Sequence, residues 1–120
     1  MAKVVHFEIP TENLEASARF FKAVFQWEFE PFRDDYWIVK AGPDDEPGIN
    51  GAIMKSMGKG HPVVNTILVD NLEQALIKVK ENGGTIFKEA MDIPGVGQYA
   101  IFSDPDGNMH GVLQPQMNRV

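Results

Sequence analysis

The sequence predicts an α+β fold made of two tandem βαβββ modules. Each half of the chain shows a strand pattern, then a helix pattern, then three more strand patterns. The tripeptide Asn-Leu-Glu stands at the start of the helix pattern in both halves, at Asn13 and again 58 residues later at Asn71. Agreement in both order and register is typical of a duplicated supersecondary unit.

The first module is predicted to cover about residues 1–56 and to begin with a strand at residues 4–9. Apolar side chains alternate there with His6 and Glu8, the period of two expected of a strand, and Pro10 is expected to end it. A helix of about three turns is predicted next, because apolar residues recur at helical spacing: Leu14, Ala18, Phe21 and Phe25. Turn-forming segments then separate three predicted strands: residues 27–29, 36–39 and 49–54.

The second module is predicted to cover about residues 61–117, after a linker at residues 55–60. A strand at residues 63–69 precedes an apolar helical stripe that ends at Gly83 and Gly84, and three short strands follow. The last strands of the two modules repeat at an offset of 59 residues, one more than the helices. This drift indicates a loop insertion of one residue.

The composition indicates one globular domain over residues 1–120. Hydrophobic residues make up 43% and charged residues 23% of the chain. The formal net charge is −6 with no run of Lys or Arg, which argues against a nucleic-acid partner. The absence of cysteine excludes disulfides and thiolate chemistry, and the first residues lack the apolar run of a signal peptide or membrane span. We therefore expect a soluble, cytoplasmic protein with no membrane partner.

Three short motifs are informative when taken together. They are Val-His-Phe-Glu-Ile at residues 5–9, Gly-Ile-Asn-Gly at residues 48–51 and Asp-Pro-Asp-Gly-Asn at residues 104–108. With the repeat, they resemble the glyoxalase, bleomycin-resistance and extradiol-dioxygenase superfamily, whose members are also called vicinal oxygen chelate proteins. The resemblance implies that the modules form a curved, cup-like mixed sheet with helices outside. It also implies a small-molecule ligand in the cup and a homodimer.

The same resemblance implies four positions for a metal site. Metalloenzymes of this kind carry His or Glu on the first and last strands of each module, donors that suit Zn, Ni, Mn or Fe. The repeat places these positions at His6, Ala52, Val64 and Gly111, and only His6 has a ligating side chain. We therefore expect no metal cofactor. The alternative is a weakly bound divalent metal held by His6, Glu8 and a carboxylate of a second subunit.

The inward-facing strand positions predict a mainly apolar pocket for a small molecule. The small side chains at Ala52 and Gly111 are expected to leave room for a bulky or planar ligand. Trp37, or Tyr36 in its place, is expected to close one side. The predicted substrate-binding residues are Trp37, Asn50, Ala52, Met54, Val64, Thr66, Met109, Gly111 and Leu113.

His6 and Glu8 are the predicted catalytic residues. They lie two positions apart on one face of the first strand, and a carboxylate beside an imidazole orients the ring and is expected to raise its pKa. The alternative is a solvated pair at the edge of a half-buried strand. His110 alternates away from Gly111 and is expected to face the helix layer, and no role is assigned to His61.

Three functions remain open on the sequence alone. The first is a glyoxalase-like enzyme of lyase or isomerase type in which His6 and Glu8 transfer protons on a small carbonyl, diol or thiol adduct. The alternative is a binding protein of the bleomycin-resistance type that sequesters a hydrophobic small molecule without catalysis, and the missing metal ligands favour it. The third is a regulatory subunit that acts through an exposed apolar surface.

Overall fold

The computed structural model describes residues 2–116 and shows the predicted order of elements twice. The first module consists of β1 (Lys3–Thr11), α1 (Leu14–Phe25), β2 (Glu28–Arg33), β3 (Tyr36–Lys40) and β4 (Gly51–Lys55). The second consists of β5 (Val64–Leu68), α2 (Leu72–Glu81), β6 (Thr85–Ile93), β7 (Gly97–Ser103) and β8 (Met109–Pro115). The predicted α+β fold class with two tandem βαβββ modules is therefore confirmed.

Each module contains a mixed sheet of four strands. In the first module the strand order is β2-β3-β4-β1, with β1 parallel to β4 and the other neighbours antiparallel. In the second the order is β5-β8-β7-β6, with β5 parallel to β8. A parallel pair cannot be joined by a tight hairpin, so the helix and two strands between its members supply the connection. The first and last strands of each module thus lie side by side.

The register of these parallel pairs matches the sequence repeat residue by residue. Glu8 of β1 pairs with Ala52 of β4. Thr66 of β5 pairs with Gly111 of β8. The offsets of 58 residues for the first strand and 59 for the last strand therefore hold in the folded chain.

A third equivalence, which the sequence did not indicate, lies on the third strand of each module. Tyr36 of β3 pairs with Met54 of β4. Tyr99 of β7 pairs with Leu113 of β8, which is the repeat partner of Met54. The two tyrosines consequently occupy the same position in their modules.

Both helices begin in the same way. The side chain of Asn13 accepts a hydrogen bond from the Ala16 N–H at 3.0 Å, and Asn71 accepts one from the Gln74 N–H at 3.0 Å. The two caps also share an extended backbone, with φ and ψ of −144° and 100° at Asn13 and of −143° and 102° at Asn71. Each cap satisfies an N–H group that has no partner within the helix.

The helices pack on their sheets through apolar side chains. In the first module, the Trp27 ring stacks on Phe21 of α1 at a centroid distance of 4.7 Å and lies 5.5 Å from Phe7 of β1. In the second module, the buried cluster consists of Leu72, Leu76, Ala100 and Val112. Neither helix of residues 2–116 has the length and apolar character needed to cross a bilayer.

Three predicted strand boundaries are wrong by two residues or more. β1 continues through Pro10 to Thr11, because the fixed φ of proline is compatible with an extended backbone. β2 extends to Arg33, so that only Asp34 and Asp35 form the turn before β3. β4 begins at Gly51 rather than at residue 49.

Candidate functional site

β1 presents different side chains on its two faces. Phe7 packs against Trp27 on the side of α1. Because successive residues of a strand point to opposite faces, His6 and Glu8 project from the other side of the sheet. Ala52, which pairs with Glu8, shares this second face. The two predicted catalytic side chains therefore lie on the face that α1 does not cover.

A tyrosine hydroxyl links these two side chains. Tyr36, the first residue of β3, donates a hydrogen bond to Oε2 of Glu8 at 2.7 Å. The same hydroxyl oxygen lies 2.8 Å from Nε2 of His6, whereas Nε2 and Oε2 are 3.9 Å apart. The side chains of His6 and Glu8 are 30% and 19% exposed, so the group is half-buried and still reachable from solvent. His6 and Glu8 are therefore joined through a tyrosine hydroxyl and partly shielded from solvent.

Burial lowers the pKa of His6 below its ordinary value of 6.5, and the charge of Glu8 raises it by a smaller amount. The expected increase from Glu8 is present, but desolvation of the imidazolium outweighs it, so the net shift is downward. The imidazole is neutral at pH 7 and can accept a proton, as a general base must. Because the folded-state pKa lies below the unfolded value, His6 favours folding above pH 6.5. That contribution is lost as the pH falls through the lowered pKa.

Two residues predicted to line the pocket lie elsewhere. Trp37 pairs with Ile53, and strand alternation places it on the α1 side of the sheet, opposite to Tyr36. Asn50 precedes β4, and its Oδ1 accepts a hydrogen bond from the Ala41 N–H at 2.9 Å. Asn50 thus fixes the loop between β3 and β4, and the aromatic residue on the His6 face is Tyr36.

The second module repeats the strand arrangement around this site but carries different side chains. Thr66 occupies the position of Glu8, and Val64 occupies the position of His6. The second module therefore carries neither ionisable group. The predicted residues that share the expected face of their own sheet are Ala52 and Met54 in the first module and Val64, Thr66, Met109, Gly111 and Leu113 in the second.

The space expected beside Gly111 is filled by Tyr99. A Cβ atom added at Gly111 would overlap the Tyr99 hydroxyl and would lie 3.0 Å from Oγ1 of Thr66. Both oxygen atoms are buried. The expectation that Gly111 leaves room for a ligand is therefore wrong, because a phenol of its own module occupies that room. Ala52 is also fully buried, which leaves no open space at the equivalent position of the first module.

The four metal positions implied by the resemblance do not fit a divalent ion. Ala52, Val64 and Gly111 offer no donor atom, and the Tyr99 hydroxyl fills the space in which a longer side chain at Gly111 would lie. Over residues 2–116, no three His, Asp or Glu side chains are grouped as metal ligands. A lone imidazole binds such an ion weakly in water.

His110 of β8 contacts Asp104, in the segment between β7 and β8, and not the residues of the site. Its Nε2 lies 3.0 Å from Oδ2 of Asp104, and its ring stacks on Phe102 at 5.3 Å. The contact with His110, followed by the Asn108 N–H, lowers the pKa of Asp104 to about 2. Phe102 packs against the buried cluster that includes α2, so the predicted orientation of His110 toward the helix layer is confirmed.

Comparison with known families identifies the superfamily of this chain. A family model described as Glyoxalase/Bleomycin resistance protein/Dioxygenase superfamily matches residues 3–111. The chain belongs to this superfamily. The match runs from the first residue of β1 to Gly111 of β8. It confirms the resemblance that the three motifs indicated.

Sequence relatives of this superfamily member are longer than the chain. CFP32, a proposed glyoxylase of Mycobacterium bovis, is 28% identical over 112 residues that cover 90% of this chain. A protein of the same name from Mycobacterium tuberculosis matches equally well. The chain spans 42% of the length of each of these proteins.

Two solved structures show the same fold at low sequence identity. A glyoxalase/bleomycin resistance protein/dioxygenase superfamily member from Vibrio splendidus has a TM-score of 0.70 and 19% identity, with 97% of this chain and 100% of that chain covered. Methylmalonyl-CoA epimerase from Mycobacterium tuberculosis has a TM-score of 0.69 and 12% identity, with 95% and 88% covered. At these identities the likeness concerns the fold alone.

Proposed function

We propose that this superfamily member is an enzyme of lyase or isomerase type that moves a proton on a small carbonyl compound. His6 is the general base, and Glu8 is its charge partner. The observation that supports this most directly is the hydrogen-bonded chain from His6 through the Tyr36 hydroxyl to Glu8, with links of 2.8 Å and 2.7 Å. A half-buried imidazole with a lowered pKa is neutral at pH 7 and therefore competent as a base.

The proposed step removes a proton from the carbon next to a carbonyl group. Neutral His6 takes the proton, the electron pair of the C–H bond forms the enolate, and His6 becomes an imidazolium. Glu8, whose Oε2 lies 3.9 Å from Nε2, stabilises that positive charge. Protonation of the enolate on the opposite face of that carbon gives the epimer, the product of an isomerase, whereas departure of a leaving group with its electron pair from the neighbouring carbon gives the alkene product of a lyase. A methylmalonyl-CoA epimerase has the same fold, which supports a reaction of the isomerase type for this chain.

The proposed reaction uses no tightly bound metal. Three of the four implied metal positions lack donor atoms. The chain therefore lacks the ligands needed to hold, at that site, a metal ion that would polarise the substrate carbonyl. The homodimer and the cytoplasmic location stay predictions of the sequence.

Sequestration of a small molecule is the second candidate function. It is favoured by the apolar side chains that accompany His6 and Glu8 on the same face, namely Ile38, Ala52 and Met54. An apolar surface with few polar groups binds a ligand without any chemical step. The two candidates differ in one observable property, because a binding protein returns its ligand unchanged.

The experiment that separates these candidates is solvent deuterium exchange followed by proton NMR. The protein is incubated in D2O with methylmalonyl-CoA, dihydroxyacetone or the hemithioacetal of methylglyoxal and glutathione, each bearing an exchangeable C–H next to an oxygen-bearing carbon. We expect the protein to accelerate loss of that C–H signal for at least one compound. Binding of a compound at unchanged exchange rate would support sequestration instead and would contradict the enzyme proposal.

A further inference from the structure

The Tyr36 hydroxyl has one proton and lies within hydrogen-bond distance of both Oε2 of Glu8 and Nε2 of His6. Its proton is donated to Oε2 of Glu8, since an ionised carboxylate only accepts hydrogen bonds. The 2.8 Å contact between the hydroxyl oxygen and Nε2 of His6 must then use a proton from the imidazole. The bond therefore runs from His6 to Tyr36 and from Tyr36 to Glu8.

We propose that Tyr36 is a positioning residue that holds His6 in the tautomer protonated on Nε2, which makes Nδ1 the atom that accepts the substrate proton. The assignment of Nδ1 as the proton acceptor rests on the proposed function. The tautomer itself does not, because it follows from the hydrogen bonds of the chain alone.

The reverse arrangement is unfavourable for an electrostatic reason. If Tyr36 donated its proton to His6, the lone pairs of its oxygen would face Oε2 of Glu8 at 2.7 Å with no hydrogen between them. Two oxygen acceptors at that distance repel, and the half-buried environment reduces the screening of this repulsion. Charge-assisted bonds to carboxylates are also the stronger kind, so the carboxylate captures the phenol proton.

The ring of Tyr36 is held in place by its neighbours on the β2–β3 hairpin. The Phe32 ring packs edge-on against it at 6.3 Å, and the guanidinium of Arg33 lies 5.3 Å from its centroid. These contacts involve the ring and not the hydroxyl. Tyr36→Phe consequently removes the hydrogen-bonding atom while leaving the packing surfaces in place.

The second module provides an internal comparison. Tyr99 occupies the position of Tyr36, but the first-strand positions there carry Thr66 and Val64 instead of Glu8 and His6. The phenol is thus present in both modules, whereas the ionisable pair accompanies it in the first module alone. Tyr99→Phe is therefore a matched control that removes a hydroxyl at the equivalent place without touching an imidazole.

The test is nitrogen-15 NMR of histidine-labelled protein at a pH above the His6 pKa. The ring resonances of His6 are assigned by their loss in His6→Ala. We expect the native protein to show a protonated Nε2 and an unprotonated Nδ1. In Tyr36→Phe the two nitrogens should move toward averaged shifts, because the partner that selects one tautomer is gone, and Tyr99→Phe should leave them unchanged.

The kinetic readout uses the same variants in the deuterium-exchange assay. Tyr36→Phe should lower the maximal exchange rate by about 10- to 100-fold, as is usual for loss of a partner that orients a reacting group, with little change in KM. A native spectrum with the proton on Nδ1, or a Tyr36→Phe spectrum identical to the native one, overturns the inference. Absence of exchange with every compound would count against the proposed function alone, because the spectrum requires no substrate.

Discussion

Replacing His6 with alanine is expected to lower the rate of substrate deuterium exchange by about 100- to 10,000-fold, the usual contribution of a positioned general base. The unfolding temperature should change little, because the imidazole is partly exposed and Tyr36 keeps its bond to Glu8. The measurement is the exchange rate at saturating substrate together with thermal unfolding of the same preparation. A variant that keeps its native rate would remove His6 from the mechanism.

A second histidine offers a matched control for this substitution. His61 accepts a hydrogen bond from the Met57 N–H at 3.1 Å and has no part in the Tyr36 contact. His61→Ala should therefore leave the exchange rate unchanged.

The exchange rate should also depend on pH through His6. Since burial lowers the pKa of His6, the decline of the rate at acid pH should have its midpoint below 6.5. A midpoint above 6.5 would contradict this role.

Replacing Gly111 with alanine is expected to decrease the free energy of unfolding by about 1–3 kcal/mol, the usual cost of overpacking a core position. The added methyl group would overlap the Tyr99 hydroxyl, and the phenol must move to admit it. Denaturant unfolding monitored by circular dichroism gives the change directly, provided that the slope of the transition is unchanged.

A double-substitution cycle identifies the cause of this loss. In a Tyr99→Phe background the hydroxyl is absent, so Gly111→Ala should cost less than it does in the native chain. Equal costs in the two backgrounds would show that the strain arises elsewhere, for example at Oγ1 of Thr66.

Much of the fold is encoded locally and could be predicted from the sequence. The helix starts are signalled by Asn13 and Asn71, whose side chains make the same capping bond in both modules. Alternation placed His6 and Glu8 on one face of β1, because the period of a strand is fixed by its backbone. The offsets of the repeat located the equivalent positions of the two modules correctly.

The role of Tyr36 could not be predicted, because it depends on contacts between distant parts of the chain. Its hydroxyl meets residues 28 and 30 positions away in sequence. Whether Tyr36 or Trp37 faces His6 is decided by the register of β3 on β4, and a shift of one residue exchanges the two. The sequence pattern predicted that Trp37, or Tyr36 in its place, would close one side of the pocket.

The environment of Gly111 could not be predicted for a related reason. A glycine on an inward face can mean open space or the close approach of another group, and sequence does not distinguish these meanings. The tyrosine that fills this space comes from a different strand, β7. The equivalence of Tyr99 and Tyr36 offered a signal, but it appears only once the strand register is known.

The two modules share the same strand arrangement but differ in the side chains on their first strands. Each places a tyrosine of the third strand over the first and last strands. The first module adds His6 and Glu8, and the second adds Val64 and Thr66. The proton-transfer chemistry that we propose is therefore assigned to the first module.

Proton transfer by His6 without a bound metal is tested by the deuterium-exchange rate after exhaustive chelation. The protein is dialysed against a chelator, its metal content is measured, and exchange is compared before and after addition of Zn or Ni. We predict the same rate in all three states, because Ala52, Val64 and Gly111 lack donor atoms and His6 alone would bind such an ion weakly. Loss of exchange on chelation, with recovery on adding either metal, would contradict it.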